Sequence, residues 1–125
     1  MKQGKFSIQQ TIKSFNYAFN GLSILIKEER NARIHLCLAV CVLIAGFVLK
    51  ISTLEWVSIM LAMGFVIVLE TINSAIENLA DFISPEKHEK IKRIKDLSAA
   101  AVLLAALTAL IIGLLIFVPK ILSFC

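Results

Sequence analysis

No glycine-rich phosphate-binding loop occurs in this sequence of 125 residues: its five glycines form neither the Walker pattern nor the glycine loop of soluble protein kinases. A nucleotide, if one binds, must be held by other means. Cysteine is equally sparse. Cys37, Cys41 and Cys125 fit no disulfide framework and no metal-ligand spacing. Cys37 and Cys41 stand four apart in an apolar run and read as packing residues, and Cys125 does not sit in a prenylation box. The opening MKQGKF is polar and mixed, without an h-region, so no cleaved signal peptide is expected and the first span should itself direct insertion. Acidic residues number nine against 13 Lys and Arg, and the middles of the first and third apolar runs hold none. That distribution argues against a transporter, whose ion pathway would place ionisable groups near the bilayer midplane.

What the chain has in excess is apolar surface. Hydrophobic residues make up 58% and the mean hydropathy is +0.85, far above ordinary globular usage. A soluble domain this short has too little interior for that surface, so lipid is the solvent for much of it. The expected fold is an all-α membrane protein with three transmembrane helices and an N-terminal amphipathic surface helix, forming one domain over residues 1–125. In residues 7–31, Ile8, Ile12, Phe15, Phe19, Leu22 and Ile26 recur every three or four positions, the spacing of one helix face. Lys13, Asn16, Asn20, Lys27 and Arg30 lie largely elsewhere around it, as in a helix lying on the bilayer surface.

Span one is expected over 34–51, just long enough to cross about 30 Å of hydrocarbon. Ser52 and Thr53 make a short turn, and Trp56 beside Glu55 suits the interface that follows. Span two, over 54–82, is apolar to Leu69 and then continues as helix out of the membrane. Ser84 and Pro85 punctuate it. A polar connector from Glu86 to Asp96 leads to span three, 97–118, which Pro119 and Lys120 close.

Charge orients these spans. Six cations precede span one (Lys2, Lys5, Lys13, Lys27, Arg30, Arg33) and five separate spans two and three (Lys87, Lys90, Lys92, Arg93, Lys95), against Lys50 and Lys120 on the other side. The excess places the N-terminus and the second connector in the cytoplasm. The net charge of +4 therefore faces anionic lipid, and no nucleic-acid partner is expected.

The chemistry-bearing stretch is E-T-I-N-S-A-I-E-N-L-A-D, residues 70–81. Offsets of three, seven and eleven return to one helix face at about 100° per residue, so Glu70, Asn73, Glu77 and Asp81 form a polar stripe with Ser74 at its edge. Glu70 falls near the cytoplasmic hydrocarbon boundary, where an ionised carboxylate costs on the order of 1–3 kcal/mol and so needs a cation, a protonatable role or a partner helix. Three readings stand side by side. Oxygen ligands suit Mg²⁺, and Mg²⁺ near Lys and Arg suits phosphoryl transfer. A proton or ion pathway uses similar residues. An exposed polar helix end uses them for nothing beyond solvation. Glu28 and Glu29 precede span one on the same side, and His88, Lys95 and Asp96 lie in the connector.

With A-F-N-G-L near residue 20, E-R-N-A-R-I-H at 29–35 and I-K-R-I-K-D-L-S-A-A-A-V after the stripe, the sequence resembles the prokaryotic diacylglycerol kinase family, small integral-membrane lipid kinases that include undecaprenol kinases. The resemblance implies a homotrimer in a bacterial inner membrane, with composite sites between neighbours. It also implies transfer of the ATP γ-phosphoryl group to the hydroxyl of diacylglycerol or undecaprenol, giving phosphatidic acid or undecaprenyl phosphate. On this mapping Glu70 resembles the general base, Glu29 and Glu77 the ligands of the Mg²⁺-nucleotide, and Tyr17, Glu86, His88, Lys95 and Asp96 nucleotide-binding positions. Asn73, Ser74 and Asp81 would support the site and Arg33 would position lipid or phosphate. Gln10 departs from an arginine carried by some members, and Ala99 from a serine of the Gram-negative type. The run R-N-A-R-I-H looks more like the branch containing undecaprenol kinases. The rival from another class is a non-catalytic membrane protein, an assembly factor or ion-conducting oligomer.

Overall fold

A computed structural model describes residues 7–86 and 88–124, which form four helices: α1 (Ile8–Glu28), α2 (Arg30–Leu49), α3 (Thr53–Ile83) and α4 (Glu89–Ser123). Lys2, Lys5, Lys87 and Cys125, which entered the charge and cysteine readings, lie outside the described residues. The last three helices are each long and apolar enough to cross a membrane, so the all-α architecture with three spans and a preceding amphipathic helix is observed.

Local chemistry sets the helix ends. Ser7 caps α1, its hydroxyl accepting from Gln10 N at 3.3 Å. The amphipathic segment was expected to run to residue 31, but the helix stops at Glu28. Glu29 is a single extended residue between α1 and α2, with φ −105° and ψ 108°, and it turns the chain from one axis to the next. Arg33 holds that corner: its guanidinium donates to Ile26 O at 2.8 Å and Lys27 O at 2.9 Å, satisfying carbonyls left open at the end of α1. The six periodic apolar residues of α1 are all uncovered by the rest of the chain, and only Leu25 is buried.

At the opposite end, Lys50 adopts the left-handed conformation, φ 53°, to end α2, where a cation also complements the helix dipole. Ser52 and Glu55 then form a reciprocal capping box, with Ser52 N donating to Glu55 Oε1 at 2.9 Å and Glu55 N to Ser52 Oγ at 3.2 Å. Lys120 of α4 reaches the same carboxylate at 3.1 Å. Lys50 and Lys120 thus mark one end of the bundle, while Lys27, Arg30 and Arg33 and the α4 cations Lys90, Lys92, Arg93 and Lys95 mark the other.

Two further boundaries differ from expectation. The connector is short, because His88 caps a helix that starts at Glu89, its Nδ1 accepting from Lys90 N at 3.1 Å. Pro119 does not close α4. It lies one turn before the end at Ser123, where withdrawing a single N–H leaves the earlier ladder intact.

The core is small and sits at the Lys50 end: Ile51, Ile59 and Ile116 are buried, with Trp56, Val42 and Phe117 packed around them. α3 packs mainly on α4 and over a shorter stretch on α2. Cys37 and Cys41, expected to be packing residues, are free thiols exposed on an outward face of α2 in the single chain. Gly46 is buried under Trp56, and a β-carbon there would come within 2.7 Å of the indole. Gly46→Ala should therefore push the ring aside and destabilise the α2–α3 hairpin by about 1–3 kcal/mol. Thermal unfolding in detergent, followed through the fluorescence of Trp56, the one tryptophan in the sequence, measures it; an unchanged transition would contradict the packing.

Candidate active site

The 18 steps of α3 from Ser52 to Glu70 rise about 27 Å, nearly the thickness of a bilayer's hydrocarbon. Glu70 is therefore a carboxylate at the far boundary of that layer, and the structure buries it: it is 2% exposed. His35, in the second turn of α2, brings Nε2 to 3.2 Å from Glu70 Oε1. The approach is not aligned as a hydrogen bond, and Oε1 has no hydrogen-bond partner among the described residues. A buried acceptor left open costs about 1–3 kcal/mol, which marks Glu70 as a group kept for a purpose other than stability.

The stripe expected along α3 divides between two neighbours. Its inner half faces the α1–α2 corner, where Ser74 is buried and donates to Glu29 Oε1 at 2.9 Å. That bond explains why the non-helical Glu29 does not cap α2: its side chain is turned to α3 instead. The outer half faces α4. Ser98 Oγ donates to Asn73 Oδ1 at 2.5 Å, Asn73 Nδ2 donates to Glu77 Oε1 at 3.3 Å, and Lys95 pairs with Asp81. Asn73 thus ties the outer half together, holding Glu77 through its amide nitrogen and α4 through its oxygen. Glu77 lies two turns along α3 from Glu70, and Glu29 is tied to Ser74, one turn from Glu70.

Of the twelve candidate positions, Glu29, Glu70, Asn73, Ser74 and Glu77 come together in one chain. Asp81 and Lys95 meet at the outer end of the stripe, 11 residues or about 16 Å along the helix from Glu70, in an exposed pair of a kind that contributes only about 0–1 kcal/mol. The remaining candidates are not joined to this group by any hydrogen bond or ion pair among the described residues. Tyr17 is exposed on α1, about 18 Å of helix before Glu29. Glu86 is exposed in the α3–α4 connection, His88 is engaged as a helix cap, and Asp96 accepts from Lys92 at 2.6 Å. Arg33 is committed to the end of α1.

Two residues at the site escaped the sequence reading. His35 carries a signal that was available: it is a lone ionisable side chain in the opening turns of an apolar span, which is by default a functional hypothesis. Ser98 carries none, because a serine one position before Ala99 shows nothing of its partner on another helix.

Below His35 an apolar cavity of about 490 Å³ runs between α2, α3 and α4, lined by Leu38, Val42, Val66, Leu110 and Phe117 among others. Its upper end is thus at His35, beside Glu70. Among the described residues no cluster of three or more His, Cys, Asp and Glu could hold a metal ion by itself. The oxygen donors Glu29 and Glu77 nevertheless fit Mg²⁺, which is usually held by one or two carboxylates plus the phosphates of a substrate rather than by an all-protein cage.

The family model described as prokaryotic diacylglycerol kinase matches residues 16–117. The chain is 40% identical over 119 residues to an undecaprenol kinase of Bacillus subtilis, covering 95% of this chain and 97% of that protein. It is 37% identical to a diacylglycerol kinase of Synechocystis, over 88% of this chain and 63% of that protein. A diacylglycerol kinase of Haemophilus influenzae is 36% identical over 75% of this chain and 80% of its own length.

Proposed function

This chain belongs to the prokaryotic diacylglycerol kinase family and is a membrane lipid kinase; from that premise we propose that it transfers the γ-phosphoryl group of ATP to the hydroxyl of diacylglycerol or undecaprenol at the cytoplasmic face of a bacterial membrane. The observation that carries this reading is the buried Glu70 with an open Oε1, set beside the upper end of an apolar cavity. A lipid alcohol whose chain enters the cavity would present its hydroxyl to that oxygen.

Glu70 is then the general base. It accepts the hydroxyl proton as the alcohol oxygen attacks the γ-phosphorus and the ADP oxygen departs. Glu29 and Glu77 would hold Mg²⁺ together with the nucleotide phosphates, where the ion neutralises charge on the phosphate oxygens. Ser74 fixes the Glu29 carboxylate and Asn73 that of Glu77. Lys95, supported by its partner Asp81, would supply the nucleotide surface with Asp96, His88, Glu86 and Tyr17. The dispersal of the last four away from Glu70 within one chain supports a homotrimer whose neighbours complete each site. The cation-rich end carries the site, which supports a cytoplasmic orientation.

Purified protein in mixed micelles should consume ATP only when a lipid alcohol is added. Supplying diacylglycerol and undecaprenol in parallel identifies the preferred acceptor. ATP consumption indifferent to both lipids would overturn the assignment.

A further inference from the structure

A base enclosed as Glu70 is must shed the proton it takes before the next turnover, and at 2% exposure it has almost no direct contact with water. The groups around it differ in their capacity to help. Glu29 and Glu77 are carboxylates whose oxygens accept from Ser74 and Asn73, and from α4 the cavity presents only apolar side chains and Gly113. His35 alone among the described neighbours combines a basic nitrogen 3.2 Å from Glu70 Oε1 with a side chain 23% exposed. On its own helix, Arg33 is turned to the end of α1, and no described residue of α2 forms a hydrogen bond or ion pair with the His35 side chain.

We propose that His35 is the proton-accepting partner of Glu70, whose unprotonated Nε2 drains the proton from the buried base between turnovers. This rests on the reading of Glu70 as the base. In each turnover the alcohol O–H bond breaks and the new bond from that oxygen to the γ-phosphorus forms, while the bond from that phosphorus to the bridging oxygen breaks and its electron pair leaves with ADP. The proton passes to Glu70 Oε1 and then to His35 Nε2. The imidazolium releases it to water at its exposed edge and returns to the neutral form. No other reactant is consumed. The missing hydrogen-bond alignment between the two side chains fits a pair that closes only when an alcohol completes the site.

The test uses full-length protein in mixed micelles with ATP and the preferred lipid alcohol. His35→Gln has nearly the reach of histidine and keeps a polar side chain beside Glu70, but has no basic nitrogen. It should lower kcat about 10-fold or more, with KM for ATP and for lipid within about two-fold of the parent. His35→Ala should lose as much, and added imidazole should restore part of that loss whereas an equal concentration of salt should not. His35→Gln keeps the test decisive if the alanine variant fails to elute as folded protein. Full kcat in His35→Gln, a change confined to KM, or a folded His35→Ala indifferent to imidazole would overturn the proposal. Glu70→Gln separates the two readings. If it is inactive while the His35 variants keep full kcat, only the relay fails; if it is active, the assignment of the base itself fails.

Discussion

Glu70→Gln should reduce phosphorylation of lipid by radiolabelled ATP by on the order of 10²- to 10⁴-fold, the usual contribution of a positioned general base. The glutamine retains the shape and the oxygen of the carboxylate but has no affinity for the hydroxyl proton. The same change should leave the fold intact. An ionised carboxylate in this position is enclosed, with an oxygen that has no hydrogen-bond partner among the described residues, and replacing it with a neutral amide removes a desolvation cost rather than a favourable contact. Size-exclusion elution and thermal unfolding in detergent should therefore match the parent while turnover disappears. Undiminished transfer in a folded Glu70→Gln would remove Glu70 from its role, whatever the family resemblance.

A second large effect concerns Mg²⁺. Glu29→Gln and Glu77→Ala should each raise the Mg²⁺ concentration needed for half-maximal activity by at least about 10-fold, the size of effect found even for supporting groups around a metal site. Glutamine is the informative replacement at Glu29, because its oxygen can still accept from Ser74 and so leaves the α1–α3 contact in place. A rise in the Mg²⁺ requirement then reports the lost charge and not a loosened corner. At Glu77 the partner is the amide of Asn73, at 3.3 Å, a contact weak enough for alanine to serve. Activity titrated against Mg²⁺ at fixed ATP measures both, and a curve that does not move would contradict the ligand assignment.

The candidate site was legible in part. Glu70, Asn73, Ser74 and Glu77 share one side of a helix because a period of 3.6 residues is a local property that spacing reveals. The apolar runs announced three spans for the same reason. His35 and Ser98 did not announce their contacts, and neither did Arg33 announce that it closes the end of α1. Each of these depends on a contact between different helices or across a corner. The break at Glu29 was hidden as well, since residues 7–31 read as one amphipathic run and nothing in their periodicity marks a single extended residue.

The amino-acid sequence by itself determined that the chain lives in lipid, how many times it crosses, which end is rich in cations, and that oxygen-bearing side chains line one helix. These follow from composition and from distances along a single chain. Tertiary structure decided that the stripe is shared between two neighbours, with Glu29 drawn to Ser74 and Ser98 to Asn73, and that an imidazole from α2 meets the enclosed carboxylate of α3. Which side chains meet across helices depends on the angle and rotation at which the helices pack. Those are set by the whole assembly of apolar surfaces, not by the period of any one of them.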